Sequence, residues 1–163
     1  MTDKEIIDGI LDREGPGKPP DYLDKNDKGG RTHWGISENA HPEAWKNGPP
    51  SKDMARDIYS VEYITPFDAL RNINDDLRII CIDDAVMSGV TVAVKRLQTI
   101  VGVTPDGIIG EDTINAVIRQ SYTNVVKRYV VARALFLTKL VQKKPSNLKF
   151  LTGWIKRTLD FLP

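Results

Sequence analysis

The sequence predicts a mainly α protein of one domain, interrupted near its N-terminus by a small irregular or β-hairpin loop. Three observations carry that prediction. Apolar residues recur at helical spacing through most of the 163 residues. Gly, Pro, Asp and Asn concentrate between positions 15 and 30, where the periodicity lapses. The length is that of one ordinary domain, which buries roughly two-thirds or more of the surface its unfolded chain exposes.

The first helix opens on Thr2-Asp3-Lys4-Glu5, which has capping-box spacing. Ile6, Ile7, Ile10 and Leu11 follow at helical intervals, and Gly15-Pro16 stops the run. Glu14 falls seven residues after Ile7 and four after Ile10, so the phase aims it at the core-facing stripe, half-withdrawn from water. Burial favours the protonated form of a carboxyl, which is what a general acid needs near neutral pH. The loop that follows is about 20 residues long, a size that is uncommon inside a compact domain and usually functional. It carries Asp21, Asp24 and Asp27, then the pair Gly29-Gly30, which allows tight turning or close approach to a ligand. Arg31 to Ser37 reads as one extended strand of a small hairpin, with Thr32, Trp34 and Ile36 in phase. A carboxyl beside such a loop is the constellation of a glycosidase, which cleaves between a protonated carboxyl and a second polar group.

Later elements are helical. Ser51 starts a helix that runs to about Ile64 and is closed by Pro66. A second spans Leu77 to Met87, and a third Val90 to Val101, with Ala93, Val94, Leu97 and Val101 on one face. Thr104-Pro105-Asp106-Gly107 is a turn signal, after which Gly110-Glu111-Asp112 opens an acidic-first helix. A long helix of about 20 residues follows, with Tyr122, Val125, Val126, Tyr129, Phe136 and Leu140 on its stripe. Arg133 falls on the same stripe, and a buried Arg needs a carboxylate partner. A last short helix carries Leu151, Trp154, Ile155 and Leu159.

Composition narrows the function classes. No apolar run approaches the roughly 20 residues of a membrane span. The acidic, amphipathic N-terminus lacks the basic start and apolar core of a signal peptide. Cys81 is the only cysteine and lies in an apolar run, so it reads as a small buried hydrophobe rather than a reactive thiol. One Cys and two His make a zinc site a poor reading. Net charge is +1, but unevenly placed. Residues through Ile118 carry 13 bases and 21 acids, and those from Arg119 onward carry 10 bases and one acid, Asp160. A basic third favours a polyanion: nucleic acid, anionic lipid headgroups or an anionic cell wall. Nucleic acid is disfavoured because no recognised nucleic-acid module accompanies the charge.

Glu14-Gly15, Tyr22, Asp24, Asp27, Gly29-Gly30, Thr32 and Trp34-Gly35-Ile36-Ser37, taken in order, resemble the N-terminal signature of the glycoside hydrolase family 108 lysozymes. These are N-acetylmuramidases of the type found in phage endolysins. Tyr59, Tyr63 and Pro66 are similar to the family's spaced tyrosines and proline, and Ile82 to Gly89 to its Asp-x-Ala-Val-Asn-x-Gly helix. Leu97 to Val117 resembles its peptidoglycan-binding-like segment, and Gly153-Trp154 with Arg157 its terminal Gly-Trp-x-x-Arg. The chain departs from the pattern in its longer loop after Gly15, in His33 for the usual Asn, and in Met87 for the Asn of the central helix.

The resemblance implies a single lysozyme-like helical domain over 1–163, with the catalytic signature in 1–86 and a peptidoglycan-binding-like helical region in 87–163. It implies hydrolysis of the β-1,4 bond between N-acetylmuramic acid and N-acetylglucosamine, without metal or cofactor. Glu14 would be the general acid; Asp27, with Thr32, would stabilise the transition state or orient water, with Asp24 in reserve. Asp24, Gly29, Gly30, Trp34, Tyr59 and Tyr63 would contact the glycan. Two other readings stand beside it: a lytic transglycosylase on the same bond, and a non-catalytic wall-binding protein. The endolysin reading further implies a monomer made in the host cytoplasm. It would reach the wall through a holin-like membrane-disrupting partner and would have no nucleic-acid partner.

Overall fold

The computed structural model describes residues 1–15 and 30–163, so the candidate residues Asp24, Asp27 and Gly29 lie outside the described residues. These are mainly α-helical with one two-stranded antiparallel hairpin, as the sequence predicts. They form two compact units, Met1–Thr65 and Pro66–Pro163.

In the first unit, helix α1 (Asp3–Glu14) begins on the expected capping box. The Glu5 amide donates to Thr2 Oγ1 at 3.3 Å and the Thr2 amide to Glu5 Oε2 at 2.7 Å. Ile6, Ile7, Ile10 and Leu11 form its buried face. Gly15, at φ 65°, returns its N–H to the Leu11 carbonyl at 2.7 Å and closes the helix. Helix α2 (Lys52–Tyr59) is capped by Ser51, whose Oγ accepts the Met54 N–H at 3.1 Å. Two ion pairs join the helices: Arg56 Nε to Asp8 Oδ1 and Lys52 Nζ to Asp12 Oδ1, both at 2.7 Å. Their order reverses between the helices, so α1 and α2 lie antiparallel.

The expected helix from Ser51 to Ile64 changes pitch partway. After Tyr59 the chain makes a π turn, Ser60–Ile64, in which the Thr65 N–H donates to the Ser60 carbonyl, and then a 3₁₀ turn, Thr65–Leu70. Pro66 has no N–H to offer the Glu62 carbonyl, so the α pattern cannot run through it. Such π turns are frequent at functional sites. Ile36, Trp45, Ala55, Tyr59 and Ile64 are also buried in this unit.

The second unit is built from α3 (Asp75–Ser88), α4 (Val90–Val101), α5 (Glu111–Ile118), α6 (Tyr122–Lys143) and α7 (Leu148–Leu159). Helix α3 starts two residues before the expected Leu77, because Asn74 caps it by accepting the Leu77 N–H at 2.8 Å. Its adjacent carboxylates Asp83 and Asp84 are buried and gather three arginines. Arg133 of α6 reaches Asp83 at 2.7 Å and Asp84 at 3.5 Å. Arg157 of α7 reaches Asp83 at 2.8 Å, and Arg96 of α4 pairs with Asp84. The Tyr129 hydroxyl donates to Asp84 at 2.8 Å, and burial raises its phenol far above the usual range, so it stays a donor. Four helices are thereby tied to one pair of residues, and Arg133 has the carboxylate partner its position on the stripe demands. Cys81, on the same helix, is buried, and burial pushes its thiol up to about 12.

Candidate functional site

The hairpin is the device that builds the site. Strands β1 (Thr32–His33) and β2 (Ile36–Ser37) pair Thr32 with Ser37 and His33 with Ile36. The run from Arg31 to Ser37 is therefore the whole hairpin, not one strand of it. Trp34 and Gly35 form its two-residue turn at φ 51° and 76°, the doubly left-handed pattern of a type I′ turn. This corrects the expected phase: Trp34 is a turn residue, and Thr32 lies on the opposite face from Ile36. The signal was present in the sequence, since Thr-His and Ile-Ser are strand-compatible pairs separated by two residues, the second a glycine.

Gly35 lies where two candidate residues, Glu14 and Tyr59, meet. A Cβ added there would collide with the Tyr59 hydroxyl and would lie 3.6 Å from Glu14 Cγ. Its positive φ and this crowding both require glycine. Tyr63 packs beside Tyr59, ring centroids 5.2 Å apart and the planes tilted by 38°. Burial raises the Tyr63 phenol above its ordinary range, and the negative charges of Glu62 and Glu14 add to that. The structure thus brings together Glu14, the hairpin turn, Tyr59 and Tyr63, residues separated by up to 49 positions in the sequence.

Two expectations change in the structure. Glu14 is exposed, not half-withdrawn from water. It is the last residue of α1, one turn past the final core residue Leu11, and on its inner side it meets a glycine without a side chain. Tyr59 is only 4% exposed, so its ring is packing and has no free face for a sugar. Its hydroxyl instead marks out the space that Gly35 must leave. Tyr63 and Trp34 are part-exposed and keep a face available. Lys52 Nζ, which also pairs with Asp12, lies 5.3 Å from the centre of the Trp34 ring.

The remaining candidates on the described residues sit on the same hairpin or at its entry. Thr32 is exposed on β1. Gly30 has φ 72°, and a Cβ there would meet Asn39 Oδ1 at 3.1 Å, so it too is held to glycine. Arg31 pairs with Glu38 across the hairpin ends at 2.5 Å and lies over the Trp45 ring at 5.0 Å. His33 Nδ1 is buried with no hydrogen-bond partner among the described residues.

The second unit carries a polar centre that the apolar stripe Ala93, Val94, Leu97, Val101 conceals. Gln98 is 1% exposed, and its side-chain amide nitrogen lies 2.7 Å from Asp106 Oδ1, 2.9 Å from the Ile108 carbonyl and 3.1 Å from Thr113 Oγ1, sharing its two protons among them. Its carbonyl accepts the Gly107 N–H at 2.8 Å. One side chain therefore fixes the turn after α4 against α5. A cavity of about 270 Å³ opens beside it, lined by Thr104, Asp106, Glu111 and Asp112 among others. A further cavity, of about 510 Å³, lies in the first unit between His41 and Ile58 and includes none of the candidate residues.

A helical scaffold that offers an exposed carboxylate beside a tight hairpin suits cleavage of an extended sugar chain, and comparison with known families makes the class definite. The glycosyl hydrolase 108 model matches residues 7–89, and a model described as a predicted peptidoglycan domain matches residues 92–159. This is a glycoside hydrolase acting on peptidoglycan. The first match spans half of the chain, and the chain belongs to the glycosyl hydrolase 108 family. Among solved structures, that of SagA from Brucella abortus superposes with a TM-score of 0.72 at 26% identity, covering 98% of this chain and 94% of that one. No curated protein sequence matches significantly.

Proposed function

We propose that this hydrolase is a muramidase that cuts the β-1,4 bond between N-acetylmuramic acid and N-acetylglucosamine, with Glu14 as the general acid. The observation that carries the proposal is the convergence of Glu14, the Gly35 turn and the Tyr63 phenol at the C-terminal end of α1. A glycan lying across the hairpin would offer its bridging oxygen to Glu14 and a ring face to Trp34 or Tyr63. Asp27, with Thr32, is assigned to the transition-state charge or the attacking water, and Asp24 stands in reserve. An exposed Glu14 fits this role when the bound glycan covers it and excludes water from the reacting oxygen.

The deciding measurement is mass spectrometry of digested peptidoglycan. Reducing N-acetylmuramic acid ends support hydrolysis of this bond; 1,6-anhydro ends would identify a transglycosylase, and reducing N-acetylglucosamine ends a different bond. Asp27→Asn should reduce turnover sharply with little change in wall binding, and Asp24→Asn should be milder. The reverse ranking transfers the role to Asp24. The same reading extends to biology: an endolysin made in the host cytoplasm acts on the wall only after a holin-like protein has opened the membrane. Expression alone should then leave cells intact until the membrane is permeabilised.

A further inference from the structure

Helix α7 is an amphipathic element whose apolar residues do not all face the protein. Its one buried residue is Thr158. Leu148, Phe150 and Leu159 are between 46 and 63% exposed, as is Leu162 just beyond the helix. Leu148, Ile155 and Leu159 recur at intervals of seven and four, so they share one edge of the helix. Phe150 lies on the other edge, stacked on Trp154 with ring centroids 5.7 Å apart. Between the edges, on the face opposite Thr158, stand Lys149 and Lys156, both exposed; Lys149 Nζ lies 4.9 Å from the Phe150 ring centre. Lys143 and Lys144 are exposed just before the helix. From Lys139 onward there are six basic residues against one acidic residue. Of the six, Arg157 is committed to Asp83.

We infer that this face of α7 docks onto an anionic lipid surface. Two features select lipid over the glycan substrate. The leucine side chains have no complement in a polyhydroxylated glycan, whereas they match the boundary between headgroups and acyl chains. The lysines between them sit where lipid phosphates would lie, and their long apolar stems let the charged heads reach those phosphates while the helix lies flat. The helix is far too short to span a bilayer, so the contact is shallow and reversible. The surface is independent of Glu14 and requires no catalysis, so its test and that of the muramidase reading fail separately.

The experiment is cosedimentation of the full chain with vesicles of phosphatidylcholine, with and without phosphatidylglycerol, across a salt series. Binding to the anionic vesicles alone is expected, weakening as salt rises. Replacing Lys143, Lys144, Lys149 and Lys156 by Gln should lower the partition by about 100-fold or more. The triple change Leu148→Ser, Phe150→Ser, Leu159→Ser should lower it by about 10-fold or more while the far-UV circular dichroism stays unchanged. Absence of vesicle binding, or binding indifferent to both sets of substitutions, would overturn the inference. Two other results would also do so: concentration-dependent dimerisation abolished by the triple change, or loss of peptidoglycan pelleting in its place.

Discussion

The two units treat charge in opposite ways. In Met1–Thr65 the pairs Asp8–Arg56 and Asp12–Lys52 are partly exposed and join the outer sides of α1 and α2. In Pro66–Pro163, Asp83, Asp84 and Arg133 are almost completely buried, and the charges cross four helices. A partly exposed pair contributes little and is screened, while a buried network is costly to break, because a single deletion strands an uncompensated charge. The first unit therefore has a tunable frame around the exposed Glu14, and the second a rigid, all-or-none frame. Substitutions in the first should change activity more than stability, and those in the second the reverse.

The largest effect expected is on activity. Glu14→Gln keeps the shape of the side chain but cannot supply a proton, so turnover on purified peptidoglycan should fall by about 10² to 10⁴ with an unchanged denaturation midpoint. Retained lysis by a folded Glu14→Gln protein would remove the residue from the chemistry. The counterpart in the second unit is Arg133→Leu, which leaves Asp83 and Asp84 short of a partner. It should cost about 3–5 kcal/mol by denaturant unfolding. A loss below about 1 kcal/mol would show that Arg96 and Arg157 suffice to hold the pair, and the contrast between the units would weaken.

A subtler probe sits at the turn. Gly35→Ala places a methyl group against the Tyr59 hydroxyl at a backbone angle that L-residues disfavour. The turn must shift, and a displacement of about 1 Å at a reacting centre costs about 10²-fold in rate. Adding Tyr59→Phe removes the colliding oxygen and should recover part of that loss; no recovery would mean that backbone strain alone is responsible.

How much of this was legible in the sequence depends on the range of the interaction concerned. Helix α1 and its cap were readable because Thr2, Glu5 and the Ile stripe act within a few residues of one another. The requirement for a partner at Arg133 was readable from its place on the α6 stripe, although which carboxylates it meets was not. The approach of Glu14 to Gly35 and Tyr59 was hidden, since it depends on how α2 crosses α1. The hairpin's phase is hard to read because a tryptophan in a left-handed turn runs against the propensity for that position. The role of Gln98 in organising the turn after α4 is concealed, because it sits inside an apolar stripe and its partners lie 8 to 15 residues further on.

The smallest expected effect concerns acid. Lys4 and Arg56 hold the Asp8 carboxyl down to about 2, below the 3.8 of a free aspartate. A group depressed in the folded state stabilises it above the unfolded value, and that contribution is lost as pH falls from about 4 through about 2. Asp8→Asn should therefore flatten the acid limb of the stability profile slightly and leave the neutral region's pH slope alone. An unchanged acid limb would show that the pair contributes nothing measurable.

Trp34 sets stability against use at a single position. Among the described residues it is the one non-glycine at positive φ, a conformation that costs an L-residue about 1–2 kcal/mol. Asn or Gly tolerates that angle far better, so a selection for heat resistance alone would discard the indole, and a Trp34→Asn protein should melt several degrees higher. If that protein also loses affinity for glycan fragments, the strain is the cost of presenting an aromatic face at the tip of the turn. Thermostabilised descendants of this enzyme should then divide into those that keep the tryptophan and those that no longer hold the sugar.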